Sequence, residues 1–139
     1  MGERLRVLIA DDNSDCVLTL AALLEQRGHS VRQAYDGQSA LKTALMFQPH
    51  VIVLDITMPH MDGYTVSSNV RRQSWARDTL IVALSGRGEF TDRVCAQSYG
   101  FDYHVTKPTD FDELTKLVER SNNPLHERTK LMRPPLLEH

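Results

Sequence analysis

Short apolar runs alternate with helical stripes along this chain, and that alternation restricts the fold more than any other feature of the sequence. Residues 6–10 form an apolar run ending at Asp11, Asp12 and Asn13, and Val17, Leu20, Ala21 and Leu24 follow at helical spacing. Asp12 or Asn13 can cap that helix, and Gly28 supplies a left-handed stop. A second strand is predicted over 29–34, Asp36 and Gly37 signal a turn, and Ala40, Leu41, Ala44 and Leu45 make a second stripe before Pro49. Residues 51–54 are continuously apolar and closed by Asp55, which suits a central parallel strand covered on both faces. A loop holding Pro59 leads to a third helix over about 64–73, and residues 80–84 make a fourth strand. Ser85 and Gly86 then open onto a fourth helix that ends near Tyr99 and Gly100, and residues 103–106 make the fifth strand. Asp110 and Glu113 have the spacing of an N-cap and its capping-box partner, and Phe111, Leu114, Leu117 and Val118 mark the apolar face of a fifth helix.

Strands separated by single helices must run parallel, and right-handed crossovers place helices on both faces, so the expected fold is α/β: a doubly wound five-stranded parallel sheet in three layers. The folded domain is expected over residues 5–121. Residues 122–139 turn polar, carry Pro124, Pro134 and Pro135, and read as a tail and linker whose Leu137, Glu138 and His139 match the start of an expression tag. A net charge of -2 offers no basic field for nucleic acid or an anionic membrane, so neither is expected as a direct partner. Cys16 and Cys95 stand far apart without metal-ligand neighbours, which fits reduced thiols. No apolar run is long enough to span a bilayer, and the expected location is the cytoplasm.

In an open α/β sheet, ligands bind beyond the carboxyl ends of the strands. Here the first strand ends in Asp11 and Asp12, the third in Asp55, the fourth in Ser85 and the fifth in Lys107. Three carboxylates on one edge repel one another, and a hard cation with oxygen ligands, Mg²⁺ above all, relieves that repulsion. A carboxylate can attack phosphorus and form an aspartyl phosphate, with the cation and a lysine neutralising the transferring oxygens, so Asp55 is the candidate nucleophile and Lys107 its partner. Each residue has a plainer reading. The double aspartate can be a helix cap, Asp55 and Ser85 turn residues, and Lys107 a solvated surface lysine. Their arrival on one edge under one topology favours the chemical reading.

At these residues the sequence resembles the receiver domains of response regulators in two-component signalling, from about Arg6 to Arg120. Asp11-Asp12, the run from Asp55 through Thr57, Pro59 and Asp62 to Gly63, Ser85-Gly86 and Lys107-Pro108 stand in that family's order. The resemblance implies a flavodoxin-like strand order 2-1-3-4-5, phosphoryl transfer from a histidine kinase or histidine phosphotransfer protein onto Asp55, and a non-enzyme signalling role. It implies a metal site of Asp11, Asp12, Asp55 and the Thr57 carbonyl, with Ser85 and Lys107 holding the phosphoryl oxygens, and a cis bond between Lys107 and Pro108. A receiver dimer is a candidate assembly. Three residues before the lysine, where many receivers carry Tyr or Phe, stands His104, and the stretch from Gly100 to Pro108 is closest to receivers of hybrid sensor kinases. The parent is therefore expected to be a hybrid kinase or a stand-alone receiver rather than a DNA-binding regulator. Ser85 and His104 are the expected switch pair, reporting phosphorylation on the face of the fourth helix, fifth strand and fifth helix, although a packed strand histidine is the slightly favoured reading of His104.

Other histidines, His29, His50, His60 and His126, read as surface residues, and Arg71, Arg72 and Arg77 as a solvated face. Trp75 reads as a contact residue or a cover for the sheet edge. Rival classes fit less well. A phosphatase of the haloacid dehalogenase type needs its nucleophile in D-x-D after the first strand, an FMN carrier would be repelled by two carboxylates there, and the P-loop motif is absent. A degenerate docking receiver would lack one of the signature residues, and none is missing.

Overall fold

The computed structural model describes residues 4–86 and 99–120. The chain runs β1 (Arg6–Ala10), α1 (Ser14–Gln26), β2 (Ser30–Ala34), α2 (Gly37–Phe47), β3 (Val51–Asp55), α3 (Gly63–Arg71), a single 3₁₀ turn (Ser74–Ala76), β4 (Leu80–Ser85), β5 (Tyr103–Thr106) and α4 (Phe111–Glu119). All strand pairs are parallel and the order is β2-β1-β3-β4-β5, as the resemblance implied. The helix expected between β4 and β5, together with Arg87, Gly88, Cys95 and the tail from residue 121, lies outside the described residues.

Strand residues alternate between faces, and this period of two divides the interior into two cores. Leu8, Ile52, Leu54, Ile81 and Ala83 pack with Ala40 and Ala44 of α2 and Val66 and Val70 of α3. Val7, Ile9, Val51, Val53, Val82 and Leu84 pack with Val17, Leu20 and Leu24 of α1 and Leu114 and Val118 of α4. Every residue of β3 is buried, as its uninterrupted apolar run requires. β2 and β5 are the two edges of the sheet, and β5 is the shortest strand, with three half-buried residues and one exposed.

Local signals explain most element ends. Asn13, and not Asp12, caps α1 by accepting from Cys16 N–H, which leaves both aspartates for the sheet edge. After Arg27 the chain turns through Gly28 at φ +95°, and His29 N–H bonds back to Leu24 O. α3 stops at Arg71, two residues short of expectation, because Arg72 and Gln73 make tighter bonds to Asn69 O and Val70 O on the way into the 3₁₀ turn. Asp110 accepts from both Asp112 and Glu113 N–H and opens α4. Trp75 lies in the 3₁₀ turn and packs, partly buried, on the α2/α3 core.

Two readings are corrected. His29 is not a surface residue: it is buried, its Nδ1 accepts from Leu5 N–H at 3.1 Å, and its Nε2 lies 2.8 Å from Glu119 Oε2. With Nδ1 as acceptor, Nε2 carries the proton and donates to Glu119. His50 likewise accepts from Arg6 N–H through Nδ1, whereas His60 is exposed. Arg71 is not part of a solvated face. Its guanidinium donates to Gly100 O, Ala76 O and Thr79 O and pairs with Asp102 at 2.6 Å, while Arg72 and Arg77 are exposed.

His29→Ala removes the acceptor for one buried amide and a donor to a carboxylate, and is expected to destabilise the protein by about 2 kcal/mol. Urea denaturation followed by circular dichroism reads this directly. Arg27, whose two bonds to Glu119 are made in solvent, should matter far less when replaced by Ala.

Candidate functional site

Because the strands are parallel, their carboxyl ends meet on one edge, and the polar residues that close them are brought together there. Asp11 continues β1 by one residue, its N–H bonding to Ala34 O, and its Oδ1 accepts from Asn13 N–H at 3.0 Å. Asp55 ends β3, with Ile56 N–H fixed on Leu84 O, and its Oδ1 accepts from Thr57 N–H at 3.3 Å. Lys107 follows β5, its N–H held by Ser85 O at 2.7 Å, and the Lys107–Pro108 peptide is cis, as expected. Its Nζ stands 3.0 Å from Asp11 Oδ2 and 3.4 Å from Asp55 Oδ2.

Asp11 and Asp55 are 1% and 3% exposed, and Asp12, exposed, completes a cluster in which one oxygen of each carboxylate lies within 4.8 Å of the others. Burial, then the Asp11 carboxylate, raise the Asp55 carboxyl, and the pull of Lys107 and Thr57 N–H only partly opposes them, so it stands at about 7. Burial pulls the Lys107 ammonium down, but Asp11 and Asp55 outweigh it and hold Lys107 above its ordinary value. One lysine therefore serves two buried acids and leaves the cluster short of positive charge.

That shortage tests whether a cation fits. Asp11 Oδ2, fully buried, has no hydrogen bond directed at it although Lys107 Nζ is near. An oxygen-only donor set with a buried, underused carboxylate oxygen suits a hard divalent ion such as Mg²⁺. Zinc would draw on His or Cys, and among the described residues the cluster contains neither.

Ser85, fully buried at the end of β4, places Oγ 2.5 Å from His104 Nε2. His104 stands on β5 opposite Ala83, half-buried. The packed-histidine reading and the switch reading thus meet in one contact, since the neighbour that satisfies the imidazole is the hydroxyl assigned to the phosphoryl group. Thr57 is exposed at the start of the loop to α3. Gly63 packs against the end of β3, where a Cβ would lie 2.5 Å from Asp55 O. Its N–H bonds to Ile56 O.

In the sequence Asp36 and Gly37 carry no signal beyond that of a turn, yet Gly37 N–H donates to Pro59 O inside the loop that follows Asp55. The signal that could have found it is the glycine itself, in first position of a helix where a bulkier residue costs nothing locally.

A family model described as the response regulator receiver domain matches residues 7–119. Among curated relatives, the transcriptional regulatory protein PrrA of Mycobacterium tuberculosis is 38% identical over 114 residues, covering 82% of this chain and 48% of the relative. TcrA, a transcriptional regulatory protein of the same species, is 34% identical over 134 residues, covering 96% of this chain and 50% of the relative. The chain thus spans about half the length of the curated relatives it matches. Among solved structures, the chemotaxis response regulator CheY4 of Vibrio cholerae superposes with a TM-score of 0.77 at 28% identity, covering 86% of this chain and 99% of that one. The receiver domain of a sensor histidine kinase of Pseudomonas aeruginosa, which has a magnesium ion coordinated in its active-site cleft, gives 0.74 at 26% identity, covering 85% and 97%.

Proposed function

Because the chain belongs to the response regulator receiver domain family of two-component systems, we propose that it accepts a phosphoryl group on Asp55 in a Mg²⁺-dependent transfer from a histidine kinase or histidine phosphotransfer protein. The observation that carries this reading is the pairing of one lysine with two buried carboxylates on the sheet edge, Asp55 at the end of the central strand among them. Asp11, Asp12, Asp55 and the Thr57 carbonyl would hold the ion, which supplies positive charge to the transferring oxygens.

Asp55 attacks through a carboxylate oxygen, an O–P bond forms, and the P–N bond of the donor phosphohistidine breaks with its electron pair returning to the imidazole. Lys107 Nζ neutralises charge on a phosphoryl oxygen, and Ser85 Oγ donates to another. The attacking carboxylate must be ionised, and at about 7 the metal-free group is only partly so near neutrality. Lys107 alone does not overcome burial. Once the phosphoryl group is in place, close to two negative charges draw the Ser85 hydroxyl away from His104, and the β5–α4 face reports the change.

The domain acts as a signalling module rather than an enzyme with an external product, and residues 5–121 are its folded unit. No helix among the described residues is long and apolar enough to cross a membrane. Direct nucleic-acid contact is not assigned to this domain. Its curated relatives are transcriptional regulators and one solved neighbour is the receiver of a sensor kinase, so the parent, hybrid kinase, stand-alone receiver or regulator, is decided by the chain that flanks it.

Intact mass after incubation with acetyl phosphate and Mg²⁺ tests the reading. Wild type is expected to gain one phosphoryl mass that EDTA prevents, and Asp55→Asn to gain none. Equal phosphorylation of Asp55→Asn would move the acceptor elsewhere.

A further inference from the structure

The loop between β3 and α3, residues 56–62, contains a turn that neither the sheet nor α3 accounts for. Met61 N–H donates to Pro59 O at 2.8 Å and closes a three-residue turn around His60, whose φ is +70°. A γ-turn with its central residue at positive φ is rare and strained, and a non-glycine residue stays there only where surrounding contacts impose it.

The imposing contact comes from α2. Gly37 N–H donates to the same Pro59 O at 3.2 Å, and a Cβ on Gly37 would fall 1.7 Å from Met61 O and 2.4 Å from its carbonyl carbon. Only a hydrogen fits between the helix and the turn. Gly37 cannot drift away, because Asp36 caps α2 by accepting from Ser39 N–H at 2.8 Å and so fixes the helix start. The loop is also pinned at its base, where Gly63 N–H bonds to Ile56 O. Only Thr57 and Met58 lie between these two pins on the Asp55 side of the turn, and only Asp62 on the other.

We propose that Gly37 is a positioning residue for the phosphoacceptor site: the start of α2 braces the turn at His60 and thereby sets where the Thr57 carbonyl stands relative to Asp11, Asp12 and Asp55. The proposal rests on the reading of those four residues as a Mg²⁺ site. It gives a helix that supplies no ligand a direct hold on ligand placement, as groups behind a metal's ligands generally have.

The experiment measures Mg²⁺ affinity by NMR titration, in the absence of any phosphodonor, for wild type, Gly37→Ala and Val118→Ala. Val118 is buried at the far end of α4 in the other core, so its truncation lowers stability without touching the loop. Gly37→Ala is expected to weaken Mg²⁺ binding about tenfold, a typical loss for a supporting group. Val118→Ala is expected to lower the melting temperature and leave the Mg²⁺ Kd unchanged. A Gly37→Ala protein that binds Mg²⁺ as tightly as wild type overturns the brace and leaves the metal site standing. A wild type that binds no Mg²⁺ overturns the metal site and the brace together. Should Gly37→Ala fail to fold, amide exchange in wild type decides: saturation with Mg²⁺ is expected to slow exchange at Gly37 and Met61, and unaltered exchange there, with changes confined to residues near Asp55, overturns the brace.

Discussion

At pH 8 in EDTA, Asp55→Asn is expected to be more stable than the wild type, although it has lost the proposed phosphoacceptor. The folded protein holds the Asp55 carboxyl at about 7, above its ordinary 3.8, so the protonated form is the one the fold favours. This group's contribution to stability is therefore full below about pH 4 and is lost as pH rises toward 7. At about 1.4 kcal/mol per pH unit, the loss is of the order of 4 kcal/mol. Asparagine resembles the neutral form and escapes it. Thermal melts of both proteins at pH 5 and pH 8 should show the gap opening with pH. Under the proposed reading of the acidic cluster as a Mg²⁺ site, added Mg²⁺ should narrow the gap by stabilising the folded wild type. A variant that melts no higher than wild type at pH 8 in EDTA would show that Lys107 already compensates the buried pair.

Arg71→Ala is expected to cost about 3 kcal/mol, the low end of the range for removing one partner from a buried, hydrogen-bonded charge pair, because this pair is only partly buried. The guanidinium serves three backbone carbonyls, Ala76, Thr79 and Gly100, and Asp102, whose Oδ2 also accepts from Ile81 N–H. Without it Thr79 O and Gly100 O lose the guanidinium N–H, Ala76 O keeps its bond from Thr79 N–H, and Asp102 loses its counter-charge. Arg71→Lys should recover only part of the loss, since an ammonium cannot reach four acceptors in one plane. Chemical denaturation against Arg77→Ala, which alters an exposed side chain, separates this clamp from a general effect of lost charge. Comparable midpoints for the two variants would show that Arg71 is dispensable.

Arg71 also marks the limit of what the sequence discloses. The strand–helix alternation and the arrival of Asp11, Asp55, Ser85 and Lys107 on one edge were legible, because apolar periodicity and parallel topology are properties of the chain taken in order, whereas the strand order came only through the family resemblance. The roles of Arg71 and His29 were not. Their partners lie at Asp102 and Glu119, 31 and 90 residues away, and a charged residue beside other charged residues carries no mark of the carbonyls it will meet. Capping was half legible: Asn13 and Asp12 are equally good caps by residue type, and the choice follows from Asp11 and Asp12 belonging to the edge of the sheet. The contact of Gly37 with the loop after Asp55 was hidden for a further reason: a glycine marks a close approach but not which backbone it approaches.

The position of β5 has a consequence for how the site comes apart. Among the described residues this strand pairs with β4 alone, and it delivers both His104 and Lys107, whereas Asp11 and Asp55 end strands with neighbours on each side. Edge strands with few buried contacts open in partial, reversible excursions long before the central ones do. In such an excursion the counter-charge departs first, and two buried acids are left facing each other. Reclosure must then rebury two ionised carboxylates, and because the attraction of Lys107 only partly offsets burial at Asp55, that cost works against reclosure while the cluster stays ionised and metal-free. A bound cation or a proton removes that obstacle, so the occupancy of the acidic pocket governs how long the outer strand stays docked, and the margin of the sheet becomes a reader of charge at its centre.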